Sequence, residues 1–184
     1  METKLLNEND IEQAVEWIKQ GELVAFPTDT VYGLGADATN EEAVQKVFEA
    51  KGRPENRPIN VLISHPEDLL HYTVDVSPDA MKLAETFWPG PFTLILKSAG
   101  NLSPVITAGK DTVGLRIPDN KLAQRLIESS GVPLATPSAN SSGRPSPTLA
   151  SHVMDDLNGK IAGVMDGGET PYGIESTILD FSDA

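Results

Sequence analysis

Cysteine is absent from the 184 residues, which excludes disulfides, thiolate metal sites, zinc ribbons and a cysteine nucleophile together. Histidine is scarce: His65, His71 and His152 are scattered, with no HExxH and no i,i+4 partner, so no protein-bound metal is expected. Cations are few. Lys and Arg number 14 against 27 Asp and Glu, a formal net charge of −13, and whole-surface binding to nucleic acid needs the opposite balance. Weak or no direct nucleic-acid binding follows, with room for a local basic pocket. No apolar run approaches the ~18 residues that span a bilayer, and the opening METKLLNENDIE lacks the basic and then apolar regions of a secretory signal. A cytoplasmic protein without membrane contact is the expectation. Neither a GxxxxGK[ST] P-loop nor a GxSxG elbow occurs, which disfavours ordinary P-loop ATP hydrolysis and the α/β-hydrolase nucleophile.

What is present suits one folded domain over residues 1–184, with 39% hydrophobic and 22% charged residues. The spacing of Asn9 and Glu12 predicts a capped helix over 9–21, and Thr39 and Glu42 repeat that spacing before a helix that Gly52 stops. Ser77-Pro78 opens a third helix, broken at Trp88-Pro89-Gly90, and further helices fit 122–129 and 149–157. Apolar runs predict strands over 23–26, 59–63, 93–97, 113–117, 132–135, 161–165 and 176–180. This alternation implies an α/β domain with a twisted mixed or parallel sheet flanked by helices, where ligands sit beyond the strand ends.

Four segments could carry chemistry. FPTDTVYGLGADA, residues 26–38, reads as a polar, glycine-rich loop whose Thr28, Asp29, Thr30 and Tyr32 offer hydroxyls and a carboxylate to a ligand or to one another. Its GLGADA is a formal match to the dinucleotide fingerprint, but six residues separate the strand from the first glycine, so a nicotinamide site is a weak reading. KGRPENRP, residues 51–58, gathers three cations in an acidic chain, suited to an anion or to the dipole at a helix end. ATPSANSSGRPSPT, residues 135–148, is either a linker or a stiff wall of hydrogen-bonding groups able to hold phosphate or ribose. Thr112 and Arg116 share a strand face at i,i+4, and GGETPYGIESTILD brings Ser176 and Thr177 to the start of the last strand. No side chain here stands out as a general base.

PTDTVYGLGA, the KxR motif Lys51-Gly52-Arg53, WPGP, DTVGLRIP, the SxN motif Ser138-Ala139-Asn140 with RPSPT behind it, and GIEST follow one another in order across nearly the whole chain. Together they resemble the YrdC family. The resemblance implies a single YrdC-like domain with a large concave cavity. It also implies a nucleotidyltransferase that condenses L-threonine, bicarbonate and ATP to threonylcarbamoyl-AMP and pyrophosphate, with magnesium on the ATP. The product would pass to the machinery that transfers the threonylcarbamoyl group to tRNA. An RNA-binding module of the same fold without synthase activity is the alternative, which the intact KxR and SxN motifs and the acidic charge disfavour.

The resemblance further implies threonine contacts at Thr30, Arg116, Thr136 and Ser176, and ATP contacts at Arg53, Arg57, Thr112, Ser138 and Ser146. Lys51, Arg53, Ser138 and Asn140 would be the catalytic set, facing the phosphates or the carbonate. Leu62 stands where some relatives place a threonine-contacting histidine. The family pattern also leads one to expect an Arg-Pro-Gly segment after the EST strand and, in longer members, a linker and a second small domain.

Overall fold

The computed structural model describes residues 1–183; Ala184, the last residue of the expected domain, lies outside the described residues. Strands Lys4–Leu6 (β1), Val24–Pro27 (β2), Tyr32–Asp37 (β3), Val61–Leu62 (β4), Thr73–Val74 (β5), Phe92–Ser98 (β6), Thr112–Arg116 (β7), Leu134–Ala135 (β8), Gly163–Met165 (β9) and Thr177–Asp180 (β10) form one sheet. Between them run helices Ile11–Lys19 (α1), Glu41–Lys51 (α2), Leu69–Tyr72 (α3), Pro78–Phe87 (α4), Lys121–Ser130 (α5) and Ala150–Leu157 (α6). The strand order is β1-β9-β2-β3-β8-β4-β7-β6-β10, with β5 paired to β6 off this path. The sheet is mixed, as expected: β1, β2 and β9 run parallel, as do β4 with β7 and β6 with β10, while β3, β8 and the β6–β7 pair are antiparallel.

Helices cover both faces. Ile11, Ala14 and Ile18 of α1 and Ala123, Leu126 and Ile127 of α5 pack on Val24, Phe26, Leu62 and Leu134 of the sheet. The larger core lies on the opposite face, where Val44, Val47 and Phe48 of α2, Ala84 of α4 and Val153 of α6 meet Leu34, Val61, Leu94 and Leu115. Each buried Leu, Ile or Phe in these layers contributes about 1.5–3 kcal/mol. Alternation along β4 therefore sends Val61 into the large core and Asn60 and Leu62 to the first face. α1 and α5 leave part of that face open.

Three local readings of the sequence need correction. Residues 32–37 are a strand, not loop: β3 pairs with β2 as a hairpin, Val24 opposite Gly35 and Phe26 opposite Gly33. The glycines serve close packing within the hairpin. A Cβ on Gly35 would stand 2.6 Å from the Phe26 ring, and one on Gly33 would overlap Thr136 Cγ2. The first helix is entered through Asn7, whose side chain accepts from the Asn9 amide at 2.8 Å while Asp10 accepts from the Asn7 amide at 3.0 Å, so the capping box lies two residues earlier than the Asn9 spacing suggested. At α2 the cap is Asn40, because Thr39 is spent on Asp37 through both its amide and its hydroxyl. The short β1, β5 and α3 carry no periodic pattern long enough to be read.

Candidate active site

The β2–β3 turn is built from hydroxyls. Thr28 Oγ1 donates to the Val31 carbonyl at 2.7 Å and accepts from the Thr30 amide at 3.1 Å, and the two threonine hydroxyls lie 3.0 Å apart. Thr28, Asp29 and Thr30 are all buried. Arg116, at the end of β7, reaches them across β4 and β8. Its Nη1 donates to Asp29 Oδ1 at 2.5 Å and to the Gly90 carbonyl at 3.2 Å, and its Nη2 lies 3.2 Å from Thr30 Oγ1. Only 6% of Arg116 is exposed.

This guanidinium lies in the wall of a small cavity of about 40 Å3. Thr30, Thr136, Ser138, Asn60, Glu175 and Ser176 bring polar groups to the same space, and Leu62 gives it an apolar side. Thr136, just past β8, turns its hydroxyl to the Leu134 carbonyl at 3.0 Å. Thr93 and Ser176 share a hydrogen bond of 2.7 Å. Thus all four residues expected at a threonine site meet here, together with one of the expected ATP contacts, Ser138. Leu62 occupies the wall where a histidine contact was anticipated, so that side is apolar in this chain.

The segment after β9 closes the cavity by backbone bonds. Tyr172 donates its amide to the Asp29 carbonyl at 3.2 Å and Gly173 to the Thr30 carbonyl at 2.9 Å. Tyr32 steadies the same segment, its hydroxyl donating to the Gly168 carbonyl at 2.7 Å and accepting from the Gly167 amide at 3.1 Å. Burial pushes that phenol up to about 12. Glu175 and Ser176 are thereby carried against the β2–β3 turn.

A second cluster adjoins the cavity. Lys51 ends α2, is 4% exposed, and donates to the carbonyls of Ser138 and Asn140, each at 2.5 Å. Burial, reinforced by the charge of Arg53, lowers this ammonium to about 8, while Glu175 acts in the opposite direction. The Ser142 amide returns a bond to the Lys51 carbonyl at 2.8 Å, so the KxR and SxN motifs are sewn together. Asn140 donates to the Arg144 carbonyl at 2.8 Å, yet its buried Oδ1 has no partner. Arg53 donates from Nη2 to the Pro58 carbonyl at 2.8 Å and has a buried, unpartnered Nε; burial and the neighbouring Arg57 lower its affinity for the proton. Ser146 donates to Glu175 Oε1 at 2.6 Å, which links the two clusters. Unpartnered buried polar atoms usually await a ligand or water.

Thr112 shares the face of Arg116 but stands at the opposite end of β7, beside Lys97, outside the cavity lining. A larger hollow of about 290 Å3 opens elsewhere, between Ile63, Asp68, Tyr72 and Glu128. Its carboxylates suit anionic reactants poorly. Reading the sequence missed Asn60 and assigned no role to Glu175. The amide of Asn60 interrupts an otherwise apolar strand run, which was the available signal, and Gly114 on β7 leaves the room its side chain occupies.

A family model described as "Telomere recombination", Sua5/YciO/YrdC, matches residues 16–184. The threonylcarbamoyl-AMP synthase of Bacillus subtilis is 51% identical over 178 residues, spanning 96% of this chain and 51% of that protein. The enzyme of the same name from Pyrococcus abyssi is 49% identical over 97% of this chain and 52% of its own length. The chain thus spans about half the length of these curated relatives. A putative threonylcarbamoyl-AMP synthase of Methanocaldococcus jannaschii is 36% identical and is matched over 85% of its length. Among solved structures, P. abyssi Sua5 complexed with L-threonine superposes with a TM-score of 0.95 at 48% identity, over 97% of this chain and 54% of that one. Escherichia coli YciO shares the fold at a TM-score of 0.87 and 24% identity, over 98% and 91%. On the family match and these identities, the chain belongs to the Sua5/YciO/YrdC family.

Proposed function

We propose that this protein makes threonylcarbamoyl-AMP and pyrophosphate from L-threonine, bicarbonate and ATP. The observation that carries the reading is a buried arginine, Arg116, held in the wall of a hydroxyl-lined cavity that abuts a second set of cations. The arginine takes the threonine carboxylate, and Thr30, Thr136 and Ser176 surround the amino acid, with Leu62 against its apolar part. Arg53, Arg57, Ser138 and Ser146 take the nucleotide, with Thr112 reserved for its far end. Lys51 fixes the backbone of Ser138 and Asn140, so that the Asn140 and Arg53 groups left without partners face the phosphates or the carbonate. The likeness to a P. abyssi protein that holds L-threonine supports the amino-acid end of this assignment.

Three anionic reactants must be held together, and neutralisation of their charge is the main work required of the protein. Threonine's amine attacks the bicarbonate carbon, and the carbamate oxygen then attacks the α-phosphorus with pyrophosphate leaving. Magnesium enters on the ATP phosphates as part of that substrate. The adenylate is a carrier of an activated group, and transfer to tRNA falls to a separate machinery in the cytoplasm; the net charge of −13 argues against a direct nucleic-acid surface. No helix among the described residues is long and apolar enough to cross a membrane.

The test is pyrophosphate release from ATP with threonine and bicarbonate omitted in turn, and the adenylate identified by mass. Release that needs both establishes the reaction. Release without threonine, or none from a protein that is folded by circular dichroism, overturns it.

A further inference from the structure

The synthase reading leaves one proton unassigned. The attacking amine becomes cationic as it adds to bicarbonate, and the adduct must lose a proton from nitrogen and expel a hydroxyl from carbon. A group that does both must stand between the threonine end and the nucleotide end of the cavity.

One carboxylate is so placed. Glu175 lines the same cavity as Arg116, Thr136 and Ser176. In the chain it adjoins Ser176, which Thr93 holds at the threonine end. In space its Oε1 accepts from Ser146, an expected nucleotide contact, at 2.6 Å. Its charge also acts on Lys51, whose Nζ is bonded to the SxN backbone. The backbone bonds of Tyr172 and Gly173 to the β2–β3 turn fix the segment that carries it. Asp29, the other carboxylate near Arg116, is paired with that guanidinium and is not among the residues that line the cavity.

We propose that Glu175 is the proton-transfer residue of carbamate formation. This rests on the synthase reading and adds a role to it. The amine lone pair forms the C–N bond while the bicarbonate C=O pair moves to oxygen. Glu175 removes one N–H proton from the cationic nitrogen. The C=O bond re-forms, the C–OH bond breaks with its pair on oxygen, and the protonated Glu175 returns the proton to that oxygen as water. Amine and bicarbonate thus give carbamate and water, and the carboxylate is regenerated. The carbamate, already anionic, needs no further base to attack the α-phosphorus.

Glu175→Gln keeps the acceptor for Ser146 and removes the base. The variant is expected to lower kcat for pyrophosphate release by about 100-fold or more, with KM for threonine and ATP within about three-fold of wild type. Glu175→Asp should recover part of the rate. Threonine carbamate also forms without catalysis from free amine and dissolved CO2, so raising CO2 and pH together should narrow the gap between Glu175→Gln and wild type. A role limited to holding Ser146 would not respond to carbamate supply. A folded Glu175→Gln with wild-type kcat, or one whose defect ignores carbamate supply, overturns the proposal while wild type remains active. A wild-type protein without threonine-dependent release overturns the synthase reading, and this inference falls with it.

Discussion

Asp29 engages Nη1 of Arg116 through Oδ1 at 2.5 Å, while its other carboxylate oxygen is buried without a partner. Both side chains are almost wholly inside, at 7% and 2% exposure for Arg116 and Asp29. Removing one member of such a pair leaves the other as an uncompensated buried charge. Asp29→Ala should therefore cost about 3–5 kcal/mol of stability, read by urea unfolding. A cost below about 1 kcal/mol would mean that Thr28, Thr30 and the Gly90 carbonyl suffice to hold the guanidinium.

Arg116 and Arg53 lie in different parts of the site, so their removal should separate the ligands. Arg116→Ala is expected to weaken threonine binding more than ATP binding, and Arg53→Ala the reverse, each by about 1.5–3 kcal/mol. Titration calorimetry with each ligand decides it. Equal losses for both ligands would sink the division of the site.

Lys51 gives stability a pH dependence of known sign. Its ammonium lies near 8 in the fold against an ordinary 10.5, so between these values the unfolded chain binds more protons than the folded one. Stability contributed by Lys51 then rises with pH across that window and is level below it. Tyr32 acts oppositely above pH 10, because its phenol is raised in the fold. Comparison with Lys51→Met isolates the lysine: wild type should gain on the variant from pH 8 to 10.5. A constant difference across that range would contradict the assignment.

Two glycines should fail for different reasons. Gly35 faces the Phe26 ring across the hairpin, so Gly35→Ala is expected to cost about 1–3 kcal/mol through overpacking. Gly52 follows α2 at φ 62° with nothing near its missing side chain; Gly52→Asn, which tolerates that conformation, should cost a few tenths of a kcal/mol, or about that. Thermal melts of the two variants give the comparison.

The alternation of helices and strands was legible because α2, α4 and α5 carry caps and stripes long enough to show a period, and the KxR and SxN motifs marked the loops that meet. The hairpin was not legible. Residues 32–37 read as loop because the partners that demand small residues at Gly33 and Gly35, Thr136 and Phe26, are distant in sequence or across a pairing that propensity does not display. Lys51 was expected to face the phosphates or the carbonate, but its ammonium bonds the backbone carbonyls of Ser138 and Asn140, a contact that no spacing rule contains. Glu175 stood inside a motif whose hydroxyls drew the attention, and its meaning depends on Ser146, 29 residues away.

The bonds from Tyr172 and Gly173 to the β2–β3 turn join parts of the chain separated by more than 140 residues, since Gly173 meets Thr30. Ribosomes deliver the first partner long before the second, and contacts of such long range are paid for late in folding. A nascent chain can thus hold most of its hydrophobic core while the pocket still gapes. Chains stopped before Gly173 should keep helical signal and lose threonine affinity.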